Sequence, residues 1–171
     1  MKLLVLYSIL TFLIPHLMEA RESSSSVYAT QGVANIDTLT LGGVRVGAPL
    51  RDLIVRTTAK IDTMIWGGKD GVSLLKFTGS AYGHDGEFHI ATDGATVHRI
   101  TFTISATDAD STDGLFTSLT SKFEKRFGEA TDEYNNIYRN IRWVGGRQTL
   151  AIQTKSNANY VSIVLSETQK R

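Results

Sequence analysis

Between residues 61 and 104, short β-rich runs alternate with turn-forming glycines, and this punctuation constrains the fold more than any other feature of the sequence. The turn signals are Gly67-Gly68, Asp70-Gly71, Gly79, Gly83, Asp85-Gly86 and Asp93-Gly94. The runs between them include VSLLKF, EFHIA and VHRITFTI, and in the last of these apolar and polar residues alternate. Such spacing is typical of an antiparallel meander that packs one face and leaves the other face in water.

Two segments with helical spacing flank this meander. Pro49 suits the first turn of a helix, where its missing N–H costs nothing, and helical spacing continues to about residue 57. The acidic stretch TDADSTDG precedes a second helix, which we expect Thr112 or Asp113 to cap and Gly128 to end. The apolar stripe of this helix consists of Leu115, Leu119, Phe123 and Phe127.

Further strands are predicted at about residues 137–144, 148–154 and 160–165, and one more in the stretch IDTLTLGGVRV before the first helix. The predicted order is therefore β-α-β-β-β-β-α-β-β-β. Because so many connections are short, we expect an α+β fold with a mostly antiparallel sheet and two helices packed on one face. The sequence leaves the order of strands in the sheet open.

The first residues, MKLLVLYSILTFLIPHLMEA, have the charge, apolar run and small final residue of a secretory signal peptide. The apolar run from Leu3 to Ile14 is shorter than the roughly 20 residues that cross a bilayer. We therefore expect residues 1–20 to be cleaved, residues 21–34 to form a polar serine-rich tether, and residues 35–171 to form a single α+β domain. This predicts a periplasmic or secreted protein without a stable membrane anchor.

Composition narrows the classes of function. The chain has no cysteine, so disulfides and thiol chemistry are excluded, and its 18 basic and 17 acidic residues leave a net charge of +1. Nucleic-acid binding depends on a surplus of positive charge, so it is not expected here. No phosphate-binding loop, nucleophile turn or other cofactor motif is recognised, and DADSTDG departs from the calcium-loop frame at two positions.

The densest group of potential metal ligands lies in YGHDGEFHIATDGATVH. Its weak candidate ligands are His84, Glu87 and His89. A two-residue turn at Asp93-Gly94 would place His89 opposite His98, but it would also expose Phe88. A three-residue turn with a bulge instead pairs Phe88 with Ile100 and His89 with Arg99, and the apolar pattern favours it. This arrangement separates the histidines, so we expect neither a metal nor a cofactor.

Two stretches, IDTMIWGGKDGVSLL and NIRWVGGRQTLAI, resemble each other as tryptophan-glycine hairpins that each follow a helix. With their glycine pairs aligned, the tryptophans are offset by one residue, which sends the two rings to opposite faces. Trp143 shares a face with Ile141 and is predicted to lie in the core, whereas Trp66 is predicted to face outward. Whether the two units form an internal repeat stays open.

These observations favour an exported, non-enzymatic binding or accessory protein that recognises another macromolecule. We expect that partner to be a protein of the envelope or exterior. The predicted binding residues lie in the glycine-rich loop and on the wet sheet face: they are Trp66, Lys69, Asp70, His89 and Arg99. Two alternatives stay open, an inhibitor or immunity protein that blocks an exported enzyme, and a small metal-dependent hydrolase.

Overall fold

The computed structural model of the protein describes residues 34–56, 63–66, 73–134 and 137–168. The predicted signal peptide and almost all of the predicted tether lie outside these ranges. Within them, no helix is both long and apolar enough to cross a membrane.

In the described part of the chain, two α-helices and eight strands follow a short 3₁₀ turn at Ile36–Thr38. The first half contains α1 (Leu50–Arg56), β1 (Thr63–Trp66), β2 (Ser73–Ala81), β3 (His84–Thr92) and β4 (Val97–Ser105). The second half contains α2 (Ala109–Phe127), β5 (Thr131–Tyr134), β6 (Tyr138–Val144), β7 (Gln148–Lys155) and β8 (Tyr160–Glu167). The strands form one antiparallel sheet in the order β1-β2-β3-β4-β8-β7-β6-β5, which confirms the predicted α+β class.

The element order differs from the prediction at two places. The stretch before α1 is not a strand of the sheet, because Gly42 and Gly43 have positive φ angles of 61° and 77° and close a tight turn between the bridged residues Leu41 and Val44. Its alternating apolar side chains are buried, and a Cβ on Gly42 would lie 2.6 Å from the Phe88 ring. Conversely, the short edge strand β5 has the sequence TDEY, whose acidic residues gave no strand signal.

One face of the sheet forms the core. A buried row crosses six strands and contains Ile141, Ile152, Ile163, Phe102, Phe88 and Phe77. The Phe88 ring lies 4.9 Å from Phe77 and 4.4 Å from Phe102, centroid to centroid. Leu50 and Leu53 of α1 and the apolar stripe of α2 join the same cluster, so both helices cover this face.

The N-cap of helix α2 lies four residues before Thr112, the nearer of the two predicted caps, so that prediction is wrong. Asp108 is its N-cap and accepts the Ser111 N–H at 2.8 Å, while Gly128 ends the helix with a φ of 82°, as predicted. Trp143 is 3% exposed, and its indole N–H donates to the Gly128 carbonyl at 2.9 Å. The prediction that Trp143 lies in the core is therefore confirmed.

The sheet has a symmetric order, because each half of the chain supplies one helix followed by four antiparallel strands and the two halves meet at β4 and β8. The matching order of elements supports a repeated unit of one helix and four strands. The two units do not align in the way that the glycine pairs of the two tryptophan-glycine stretches suggested. Gly145-Gly146 lies between β6 and β7, and the matching connection in the first half is Tyr82-Gly83 between β2 and β3. The glycine pair at residues 67 and 68 falls between β1 and β2 instead.

The segment before α1 is held against the β6–β7 turn by two polar side chains. The Asp37 carboxylate accepts backbone N–H groups from Gly146, Arg147 and Gln148 at 2.8–3.1 Å. These hydrogen bonds, with that from Arg147 foremost, lower the pKa of Asp37. The buried Gln148 side chain donates to the carbonyls of Ile36 and Leu39.

Candidate functional site

The outer face is the side of the sheet that neither helix covers. Because side chains alternate along each strand, the residues between the core positions lie on this face. From β5 to β2, one row across it contains Thr131, Arg142, Ala151, Val164, Thr101, His89 and Lys76. The residues at the middle of this row are small, whereas longer polar side chains flank them on both sides.

A concavity of about 720 Å³ occupies the part of the outer face formed by β6, β7, β8 and β4. Its lining includes Ala151, Val164 and Ser166, whose side chains are short. Arg142 and Val144 of β6 also line it, and the Val144 side chain is 59% exposed. The concavity is therefore open and partly apolar, which suits contact with a protruding surface better than enclosure of a small molecule.

A chain of hydrogen bonds fixes the polar side of this concavity. Gln153 donates through Nε2 to Asn140 Oδ1 at 3.2 Å, and Asn140 donates through Nδ2 to Glu133 Oε2 at 3.2 Å. The same Glu133 carboxylate pairs with Arg142 through Nη2. Arg142 Nε is buried and has no hydrogen-bond partner in the described part of the chain. These side chains are thus ordered before any partner binds.

Arg99 lies at the β4 side of the concavity, where its neighbours across the strands are Ala91 and Ser166. The side chain is exposed. Its guanidinium makes no hydrogen bond or ion pair with the residues that the structure describes. Its five N–H donors therefore face solvent.

His98 forms the rim of the concavity between two carboxylates. Nε2 lies 3.1 Å from Asp93 Oδ2, and Nδ1 lies 3.0 Å from Glu167 Oε2. Both ring nitrogens can donate only when the imidazole is protonated. The hydrogen bond to Glu167 is the main cause that raises the pKa of His98 above 6.5. Backbone N–H donors of Thr96 and Ala95 lower the pKa of Asp93 to about 2.

On the part of the outer face formed by β2 and β3, the charged side chains pair with one another. Lys76 Nζ lies 2.6 Å from Glu87 Oε2, and His89 Nε2 contacts Glu87 Oε1. The hydrogen bond from Lys76, followed by that from His89, lowers the pKa of Glu87. Lys76 and His89 both contact Glu87, so this cluster offers fewer uncompensated charges to a ligand than the concavity does.

The three predicted metal candidates do not come together at one point, although Glu87 and His89 are in contact. Glu87 and His89 lie on the outer face, whereas His84 occupies a position of the opposite parity, that of Phe88. Among the residues that the structure describes, no group of three or more histidine, aspartate or glutamate side chains could hold a metal ion.

The β3–β4 hairpin has the predicted bulge, but its pairing is shifted by two residues. Phe88 pairs with Phe102 rather than Ile100, and His89 pairs with Thr101 rather than Arg99. The turn is longer than predicted because Asp93 accepts the N–H groups of Ala95 at 2.8 Å and Thr96 at 2.7 Å. A shift of two residues preserves the faces, so His89 and Arg99 still share the outer face as diagonal neighbours.

The remaining predicted binding residues fall at the limit of the described chain. Trp66 ends the edge strand β1, where its backbone pairs with Ser73, but its side chain lies outside the described part. Lys69 and Asp70 lie outside the described ranges altogether. Their role in binding therefore stays a prediction.

Sequence reasoning missed the polar wall of the concavity, Asn140, Arg142 and Gln153. Strand alternation alone assigns Arg142 to the face opposite Ile141 and Trp143. The missing information was that β6, β7, β8 and β4 are neighbours, which brings these side chains into one surface with Arg99.

Comparison with known proteins gives no match to this chain, whether with protein-family models, with curated proteins or with solved structures. The geometry of the outer face is therefore the basis for functional inference.

Proposed function

We propose that this protein is an exported, non-enzymatic binding protein that recognises another protein through the outer face of its sheet. The export part of this proposal rests on the signal-like residues 1–20. The recognition part rests on one observation, the open concavity on the face that neither of the two described helices covers.

Several features of the concavity support recognition of a protein surface. Its lining combines short apolar side chains with ordered amides and arginine, a mixture typical of non-obligate protein interfaces. The polar wall is held by internal hydrogen bonds, so little side-chain entropy would be lost on binding. The two helices pack against the opposite face of the sheet and leave this face accessible.

Capture experiments with a matched pair of variants test the proposal. Ser166→Trp places a large ring within the concavity, and Ser118→Trp places the same ring on the exposed side of α2, on the other side of the sheet. The unmodified protein and both variants are immobilised and exposed to an envelope fraction of the cells that produce them. Specific captured proteins are identified by mass spectrometry.

We expect Ser166→Trp to lose a protein that the unmodified chain and Ser118→Trp both retain. Equal capture by all three proteins would contradict use of the outer face. Hydrolytic activity of the purified protein, with no captured protein, would contradict a non-enzymatic role.

The same captured protein tests the narrower hypothesis of an inhibitor or immunity protein. If the partner is an enzyme, the unmodified chain should reduce its activity and Ser166→Trp should not. Full activity of the saturated complex would refute inhibition while leaving the binding role intact.

A further inference from the structure

We propose that His98 is a pH-sensitive latch at the rim of the concavity: with a protonated ring it holds the Glu167 side chain, and on losing its proton it releases Glu167 and keeps Asp93. The latch needs no partner, so it goes beyond the proposed binding function. Its basis is the position of one imidazole between two carboxylates that the fold holds to different degrees.

A bulge in β4 leaves His98 without a paired residue on β3. Ala91 pairs with Arg99 and Thr92 pairs with Val97, so His98 is the extra residue on its strand. Its ring joins two segments that are distant in the sequence, the β3–β4 turn and the end of β8. The side chain is 40% exposed, so solvent can supply and remove its proton.

The Asp93 carboxylate is fixed by the turn in which it lies. Its Oδ1 accepts the N–H groups of Ala95 at 2.8 Å and Thr96 at 2.7 Å, and its Oδ2 accepts the Thr96 hydroxyl at 3.2 Å. The turn is itself attached to α1, because the Leu50 N–H donates to the Ala95 carbonyl at 2.8 Å. Asp93 therefore cannot move away from the His98 ring without breaking several hydrogen bonds.

The Glu167 carboxylate is held less firmly. Glu167 is the last residue of β8, and its side chain is 50% exposed. Within the described ranges, its carboxylate has no hydrogen-bond or ion-pair partner besides His98. Rotation about its side-chain bonds can therefore carry the carboxylate into solvent and regain conformational entropy without disturbing the strand.

Loss of one proton from His98 forces a choice between the two carboxylates. A protonated imidazole donates from both ring nitrogens, whereas a neutral imidazole donates from one and presents a lone pair at the other. A lone pair repels a carboxylate oxygen at the 3.0–3.1 Å found here, so one carboxylate has to retreat. Because Asp93 is fixed, the proton stays on Nε2 and Glu167 leaves Nδ1.

Release of Glu167 changes the charge at the rim. The β3–β4 turn contributes Asp93, β4 contributes Arg99 and β8 contributes Glu167, so a protonated His98 gives two positive and two negative charges. A neutral His98 leaves one uncompensated negative charge and a free carboxylate. Glu167 also lines a second concavity of about 600 Å³, so both concavities share this change. The remaining charged side chains in the two linings are Arg142 in the first, which pairs with Glu133, and Asp37, Arg45 and Arg147 in the second.

Nitrogen and carbon NMR spectra of the protein, recorded from about pH 5 to about pH 9, test the latch across the range in which histidine titrates. The imidazole nitrogen shifts report the protonation of His98 and show which nitrogen keeps the proton in the neutral ring. The carboxyl carbon shift of Glu167 reports its release. The variants are Glu167→Gln and the matched control Glu124→Gln, which removes the same charge from the exposed side of α2. Amide spectra of each variant verify that the fold is retained.

We expect the neutral ring of His98 to carry its proton on Nε2, and the Glu167 carboxyl signal to shift at the same midpoint as the ring. The hydrogen bond to Glu167 is the main cause that raises the pKa of His98. Glu167→Gln should therefore lower the midpoint of the His98 titration, while Glu124→Gln should leave it unchanged.

A neutral ring protonated on Nδ1 would overturn the latch, because Glu167 would then be retained and Asp93 released. A Glu167 signal that does not respond at the His98 midpoint would do so as well, as would the same midpoint in all three proteins. None of these measurements uses a partner, so the latch and the proposed binding function can fail independently.

Discussion

Replacing Gln148 by methionine tests how the segment before α1 is attached to the sheet. Gln148 begins β7 and is 2% exposed, and its amide donates to the carbonyls of Ile36 and Leu39, the latter at 3.2 Å. Methionine has a similar length and shape but cannot donate a hydrogen bond. The substitution therefore removes both bonds with little change in packing volume.

The two acceptor carbonyls, those of Ile36 and Leu39, differ in whether a second hydrogen-bond donor remains after the substitution. The Ile36 carbonyl also accepts the Leu39 N–H at 2.9 Å, so losing Gln148 costs it only a typical net hydrogen bond of about 0.5–1.5 kcal/mol. The Leu39 carbonyl has no second partner in the described chain and would be left unsatisfied, at a cost of about 1–3 kcal/mol. Together these losses lower the free energy of unfolding by about 2–4 kcal/mol.

Urea denaturation measures this loss. With a slope of about 2 kcal/mol per molar, the unfolding midpoint should fall by about 1–2 M without a change in slope. The control is Gln153→Met on the same strand, which removes a partly exposed hydrogen bond to Asn140 and should cost less than about 0.5 kcal/mol. Equal destabilisation by the two substitutions, or a loss below about 0.5 kcal/mol for Gln148→Met, would refute the reasoning.

Three further predictions concern the core and the rim of the concavity. Phe88→Ala removes a ring that is 1% exposed and should lower the free energy of unfolding by about 3–5 kcal/mol in urea denaturation, with Phe88→Leu costing less. Trp143→Phe loses the indole hydrogen bond to Gly128 and should cost about 1–2 kcal/mol, measured by the same assay; no loss would contradict the role of that bond. Because the folded-state pKa of His98 is raised above 6.5, its contribution to stability is fully present below that value and is lost as pH rises through the raised pKa. Melting temperatures measured from pH 6 upward should show this decline in the unmodified protein and not in His98→Gln, and identical profiles would contradict it.

Local signals in the sequence account for much of the fold. The meander of β2, β3 and β4, the helix that Gly128 ends and the core position of Trp143 all follow from short-range periodicity or turn chemistry. One error arises where a distant contact decides: the alternating residues before α1 are buried against the sheet rather than paired in it. The other is local, because β5 pairs with the next strand, β6, although its acidic residues carry no strand signal.

The sequence by itself determined which residues lie on each side of a strand, because alternation is a local property of the backbone. It therefore placed His89 and Arg99 on one face even though the hairpin register was shifted by two residues. Only the tertiary structure decided which strands are neighbours, since strand order depends on contacts between distant parts of the chain. The pairing of β4 with β8 brings Arg99 beside Ser166, and the β6–β7–β8 ladder adds the wall of Arg142, so the candidate site exists only in the assembled sheet.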